Sequence, residues 1–140
     1  MNKTVIIKSK KDTDNLAKSL APHLRAGDVI ALYGELGAGK TFFTQRLCFH
    51  LGIKEIVSSP SYVLMNDYVG KIPVSHLDLY RIESIDELLE LGLHDLFEER
   101  ITIIEWPDVA ESVLPKQNIK IRFEFKNSSR IANIESYIEF

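Results

Sequence analysis

Cysteine is nearly missing from this chain of 140 residues. Cys48 stands alone, so no disulfide can form within it and a disulfide partner is not expected. Long hydrophobic runs are also missing: no stretch approaches the ~20 apolar residues of a membrane-spanning helix. The opening MNKTVIIKSKKDTD holds only three consecutive apolar residues, where a signal peptide carries a longer core. These absences predict a cytoplasmic protein with no membrane partner. Neither sign of charge dominates, with 17 Lys and Arg against 20 Asp and Glu. A net charge of −3 gives no global electrostatic reason to bind nucleic acid. No repeat, low-complexity segment or linker interrupts the chain, and a single domain over 1–140 is expected.

What is present alternates between strand and helix signals. TVII at 4–7 reads as a short strand. Leu16, Ala17, Leu20 and Leu24 recur at helical spacing and predict a helix from Thr13 to about Leu24, with Asp12 or Thr13 as its N-cap. After Gly27-Asp28, VIALY is a short apolar run of the kind buried on both faces. A helix is expected from Lys40 to Leu51, with Gly52 closing it. SYVLMNDY and IPVSHLDLY read as a hairpin about Val69-Gly70-Lys71. Ser84 and Glu87 have capping-box spacing at the start of a helix reaching Leu91. A further helix over His94–Glu99 leads into the buried strand ITIIEW, and Val109–Val113 predicts a helical turn. IKIRFEF and RIANIESYIEF alternate as half-buried antiparallel strands do. The sum is an α/β fold whose mixed sheet has a parallel centre and antiparallel additions.

The stretch GELGAGKT, residues 34–41, has the spacing G-x-x-x-x-G-K-[ST] between an apolar strand and a helix. Each position has a physical task. Gly34, Gly37 and Gly39 permit positive φ, which turns successive backbone N–H groups, including those of Leu36 and Ala38, toward one anion. The helix starting near Lys40 adds unpaired N-terminal donors and the positive end of its dipole. Lys40 can reach the β- and γ-phosphates, and the Thr41 hydroxyl can ligate Mg²⁺. A nucleotide with Mg²⁺ is therefore expected at the loop.

Metal and catalysis call for acids at strand ends. Asp78 in SHLDLYR and Glu105 in ITIIEW stand where a carboxylate can hold Mg²⁺ or orient an attacking water. His76 either lines that site or packs as a strand histidine. Trp106 is expected to wall the site, Cys48 to be core, and Ser9–Thr13 to be a candidate base-contact region.

The loop alone does not choose among functions. With no D-x-x-G recognised after the loop and no N-K-x-D base-recognition motif, a GTPase reading is weak. A small-molecule kinase needs a substrate subdomain and an arginine-bearing lid, yet only Arg81 and Arg100 lie between Asp78 and Glu105. A non-hydrolysing, nucleotide-gated binding module uses the same loop as a switch.

Read in order, GELGAGKTFF, SSPSYVLMNDY, HLDLYR, ELLELGLHD and IIEWP closely resemble the TsaE family, from about residue 13 to 115. The resemblance implies a P-loop NTPase-like three-layer fold and a weak ATPase of tRNA threonylcarbamoyladenosine biosynthesis, with ATP and Mg²⁺ as its cofactors. It implies work with TsaB and TsaD, the chain itself not being the transferase, and contact with tRNA only through that assembly. By position, Leu36 to Thr41 would bind the phosphates, Thr41 the Mg²⁺, and Glu105 would act as the Walker-B-like acid. Asp78 would serve the metal or catalysis, Trp106 would lie beside the site, and Ser59, Pro60 and Ser61 would be switch-like. Ser61 stands where the family usually has threonine, and Ser129-Arg130 where it often has Gly-Arg.

Overall fold

The computed structural model describes residues 1–60 and 64–140, with the backbone alone at 94 and 96. Seven strands form one sheet: β1 (Asn2–Ile7), β2 (Val29–Tyr33), β3 (Met65–Tyr68), β4 (Val74–Asp78), β5 (Ile101–Glu105), β6 (Ile119–Lys126) and β7 (Ser129–Ser136). Their order across the sheet is β1-β7-β6-β2-β5-β4-β3. The centre is parallel, with β2 between β5 and β6 and β4 beside β5. Antiparallel additions close both sides, β3 on β4 at one edge and β7 then β1 at the other. The expected mixed sheet is thus the observed one.

Helices cover both faces. On one lie α1 (Lys10–Leu20) and α2 (Lys40–His50), whose Leu16, Leu20, Phe43 and Leu47 pack on Ile30, Leu32, Ile101, Ile103 and Ile121. On the other lie α3 (Ile85–Leu89), α4 (Leu93–Glu99) and a 3₁₀ turn over Pro107–Val113. Their Leu88, Leu93, Phe97 and Ala110 pack on Val29, Leu77 and Ile104. Adjacent residues of one strand serve opposite cores, as the two-residue period of a strand requires. This explains why VIALY and ITIIE read as unbroken apolar runs. Both are buried throughout.

Several local expectations shift. Helix α1 begins at Lys10 with Ser9 as N-cap, three residues before the predicted start. Asp12 contributes from inside the first turn, where its carboxylate accepts the Lys8 N–H at 2.8 Å. The α-helix also stops early, tightening to a 3₁₀ turn over Ala21–His23 at Pro22, which has no N–H to donate. Ser84 does occupy an N-cap position, but its side chain makes no capping hydrogen bond. The helix there is shorter than predicted. The last strand ends at Ser136, short of the full RIANIESYIEF segment.

Cys48 is fully buried in the first core, and its apolar surroundings push the thiol up to about 12. Native protein is therefore expected to resist iodoacetamide at neutral pH, with alkylation appearing only on denaturation. Mass spectrometry of the labelled protein reads this, and rapid native labelling would contradict the packing described. No helix among the described residues is long and apolar enough to cross a membrane.

Candidate functional site

The two-residue period that builds the core also builds the site. Val74, Ile101 and Ile103 face α2, so His76, Asp78 and Glu105 on the same strands face that way as well. In the parallel register Asp78 stands opposite Glu105, and Leu32 of β2 flanks Glu105 on its other side. The glycine-rich loop then carries the chain from Tyr33 to the N-terminus of α2. Glycine is required at its first position: Gly34 has φ 143°, and a Cβ there would lie 2.7 Å from the Phe123 carbonyl oxygen. Gly39 has φ 112° as the residue before the helix.

Gly34→Ala combines positive-φ strain, about 1–3 kcal/mol, with a backbone clash. Chemical denaturation is expected to show at least that loss of stability. An unchanged unfolding midpoint would contradict the close approach of β2 to β6.

At the helix start, the Thr41 hydroxyl donates to Glu105 Oε1 at 2.9 Å. Its proton is thereby directed at the carboxylate, which leaves the hydroxyl oxygen's lone pairs for a cation. Asp78 Oδ2 accepts the Ser59 hydroxyl at 3.2 Å, and Asp78 Oδ1 accepts the Tyr80 N–H at 3.0 Å. Both acids are buried, Glu105 at 2% exposure and Asp78 at 4%. Hydroxyl and carboxylate oxygens are the donor chemistry of a hard cation such as Mg²⁺. Among the described residues no group of three or more His, Cys, Asp and Glu forms a complete metal cage. Mg²⁺ commonly takes only one or two carboxylates, with waters and substrate phosphates completing its shell. The residues present fit that mode.

Lys40 is also buried. Its ammonium donates to the carbonyl oxygens of Gly34 and Glu35, and lies 3.7 Å from the centroid of the Trp106 ring. Burial lowers its pKa below the ordinary lysine value, while Glu105, Asp78 and Asp108 act in the opposite sense. An amine so placed gains from any anion delivered into the loop. Trp106 has φ 55°, an uncommon conformation for a residue with a side chain, and its ring stacks on Tyr80 with centroids 4.8 Å apart. The ring thus borders the Lys40 ammonium.

A cavity of about 280 Å³ joins these groups, lined by Leu36, Gly37, Gly39, Lys40, Thr41, Ser59, Asp78, Tyr80, Glu105 and Trp106. A second cavity, about 590 Å³, shares Gly37, Gly39 and Phe42 with the first and is lined also by Ala38, Lys8, Ser9, Lys10, Thr13 and Arg130. The expected base-contact segment therefore does border the loop. Of the switch-like residues, Ser59 reaches Asp78 and Pro60 accepts the Leu64 N–H through its carbonyl at 2.6 Å. Ser61 lies outside the described residues.

Two contacts at the site are not placed by the sequence reading, which names His76 as a site or core residue without its partner. Arg130 bonds the Gly37 carbonyl at 3.3 Å, across 93 residues. The signal is Asn127-Ser128, whose tight turn between Lys126 and Ser129 holds Asn127 at φ 57° and aims the hairpin at the loop. The other is His76, buried and 2.5 Å from Glu105 through Nε2. The D-x-x-G spacing of a GTPase switch does occur after the loop, at Asp67-Tyr68-Val69-Gly70, which corrects the expectation that it is absent. Asp67 instead accepts hydrogen bonds from Ser75 and Arg100, and Ser75 lies near the start of β4, away from the loop.

Comparison with known proteins adds to this geometry. The family model described as "Threonylcarbamoyl adenosine biosynthesis protein TsaE" matches residues 7–132. The chain is similar to the tRNA threonylcarbamoyladenosine biosynthesis protein TsaE of Rickettsia bellii, 33% identical over 96% of this chain and 95% of that one. It is similar to the protein of the same name from Bacillus subtilis, 39% identical over 79% of this chain and 70% of the relative. The Borreliella burgdorferi protein of that name is 36% identical over 91% of this chain and 95% of its own. Among solved structures, that of Bacillus subtilis YdiB superposes with a TM-score of 0.78 at 28% identity, covering 96% of this chain and 84% of YdiB.

Proposed function

Because the chain belongs to the TsaE family of threonylcarbamoyl adenosine biosynthesis proteins, we propose that it is an Mg²⁺-dependent ATPase serving that tRNA modification. It acts beside TsaB and TsaD, is activated by them, and does not itself transfer the threonylcarbamoyl group. Contact with tRNA runs mainly through the assembly, in keeping with a net charge of −3. The observation that carries the reading is the 2.9 Å bond from Thr41 to Glu105 at the mouth of the glycine-rich loop. It joins a phosphate cradle to a buried acid.

In this reading the loop N–H groups and the α2 N-terminus hold the β-phosphate, and Lys40 follows the γ-phosphate. Bound Mg²⁺ would supply positive charge to the phosphate oxygens, held by Thr41 with Glu105 and Asp78 near it. Glu105 and Asp78 offer the buried carboxylates that orient the attacking water. Trp106 and Tyr80 shield one side from solvent. Few arginines stand near the site in sequence, so charge compensation at the leaving phosphate is incomplete in the isolated chain. A partner surface completes it, which accounts for slow hydrolysis by the chain alone.

Labelled ATP separates this reading from its rivals, with and without TsaB and TsaD. Inorganic phosphate released chiefly with both partners is the expected result. Label on a small acceptor would make the protein a kinase, and binding without turnover would make it a nucleotide-gated module.

A further inference from the structure

We infer that His76 is a positioning residue for Glu105, holding its carboxylate in the orientation from which it serves Thr41 and the metal. This rests on the proposed role of Glu105. The two oxygens of that carboxylate are held by different elements: Oε1 by Thr41 at 2.9 Å, and Oε2 by His76 Nε2 at 2.5 Å. One contact comes from the N-terminus of α2 and the other from β4, so turning the carboxylate plane breaks both. The register makes the contact possible. His76 pairs with Ile103, two residues before Glu105 on the same face of the neighbouring strand, and an imidazole spans that step.

Packing alone does not account for a histidine here. Its side chain is fully buried, and Nδ1 has no hydrogen-bond partner among the described residues. A leucine or phenylalanine would fill the space without an unsatisfied polar atom. Because an ionised carboxylate only accepts, Nε2 is the donor in this contact. The imidazole lines neither cavity at the loop. It acts through Glu105. Groups that orient metal-binding carboxylates typically change metal affinity or activity about 10–100-fold when removed.

The test uses the full chain and two readouts: Mg²⁺ dependence of ATP binding by calorimetry, and turnover with TsaB and TsaD. His76→Phe is expected to raise the Mg²⁺ half-saturation and lower kcat, each by about 10–100-fold, with ATP affinity in EDTA unchanged. His76→Gln, whose amide nitrogen can stand where Nε2 does, is expected to recover most of both. His76→Asn is too short to reach Glu105 and should match His76→Phe, which keeps the test open should the phenylalanine prevent folding. Wild-type Mg²⁺ dependence in the Phe or Asn variant overturns the inference, as does equal impairment of the Gln variant. Absence of turnover in the wild-type assembly would overturn the ATPase reading, while the binding readout still decides His76.

Discussion

Lys40→Ala is expected to abolish most productive ATP binding while leaving a folded protein. The ammonium is buried against the loop, resting on the Gly34 and Glu35 carbonyls and the face of Trp106. Burial there lowers its pKa, which marks a desolvation cost on the charged form, and a phosphate relieves that cost. Hydrogen bonds to charged groups contribute about 1.5–3 kcal/mol, or roughly 10- to 150-fold in affinity. The fold has other supports: Phe43 and Leu47 anchor α2 in the core, both fully buried. Calorimetric titration with ATP and Mg²⁺ should therefore show the affinity loss. Thermal melts without nucleotide should change much less than melts with it. Near-normal affinity and modification activity in this variant would overturn the assignment of the loop.

The second large effect falls on chemistry. Glu105→Ala is expected to reduce partner-activated hydrolysis by about 10²–10³, the range for losing one well-placed electrostatic group. ATP binding should be impaired far less, because the loop and Lys40 remain. Alanine also strands the Thr41 hydroxyl and His76 Nε2, which both bond this carboxylate. Each unsatisfied buried group costs about 1–3 kcal/mol, so part of the loss would be structural. Glu105→Gln removes the charge and keeps an oxygen for Thr41, its amide nitrogen facing His76, whose Nε2 accepts it in the other neutral tautomer. Turnover near wild type in both variants would move the acid's role to Asp78, which stands opposite it in the register.

Lys40 and Glu105 are legible in the amino-acid sequence because their signals are local. A short apolar strand, a glycine-rich loop and a helix follow one another in the chain, and Glu105 closes an apolar strand. Burial on both faces erases alternation in β2 and β5, so length and flanking turns identify these strands instead. The start of α1 is harder to place, since Lys10, Lys11 and Asp12 offer no apolar periodicity and Ser9 caps by position without a side-chain bond. Nothing local announces that β1 pairs with β7, as those strands lie at opposite ends of the chain. Arg130 at Gly37 and His76 at Glu105 also join residues far apart in the chain, although the Asn127-Ser128 turn marks the hairpin that carries the first. Each contact depends on how strands are ordered in the sheet, which sequence spacing does not encode. Spacing leaves His76 as either a core residue or a site residue, and its burial beside Glu105 makes it both.

On this reading, the nucleotide cycle of one chain sustains repeated rounds of tRNA modification. The most direct measurement counts threonylcarbamoyladenosine formed per TsaB–TsaD assembly, by mass spectrometry of the tRNA. It compares the wild-type chain with Glu105→Gln, at ATP and Mg²⁺ concentrations that saturate both. The wild type is expected to sustain many rounds, and the variant to bind ATP yet stall after the first. Equal rounds with both chains would contradict the claim that hydrolysis at this site drives the cycle.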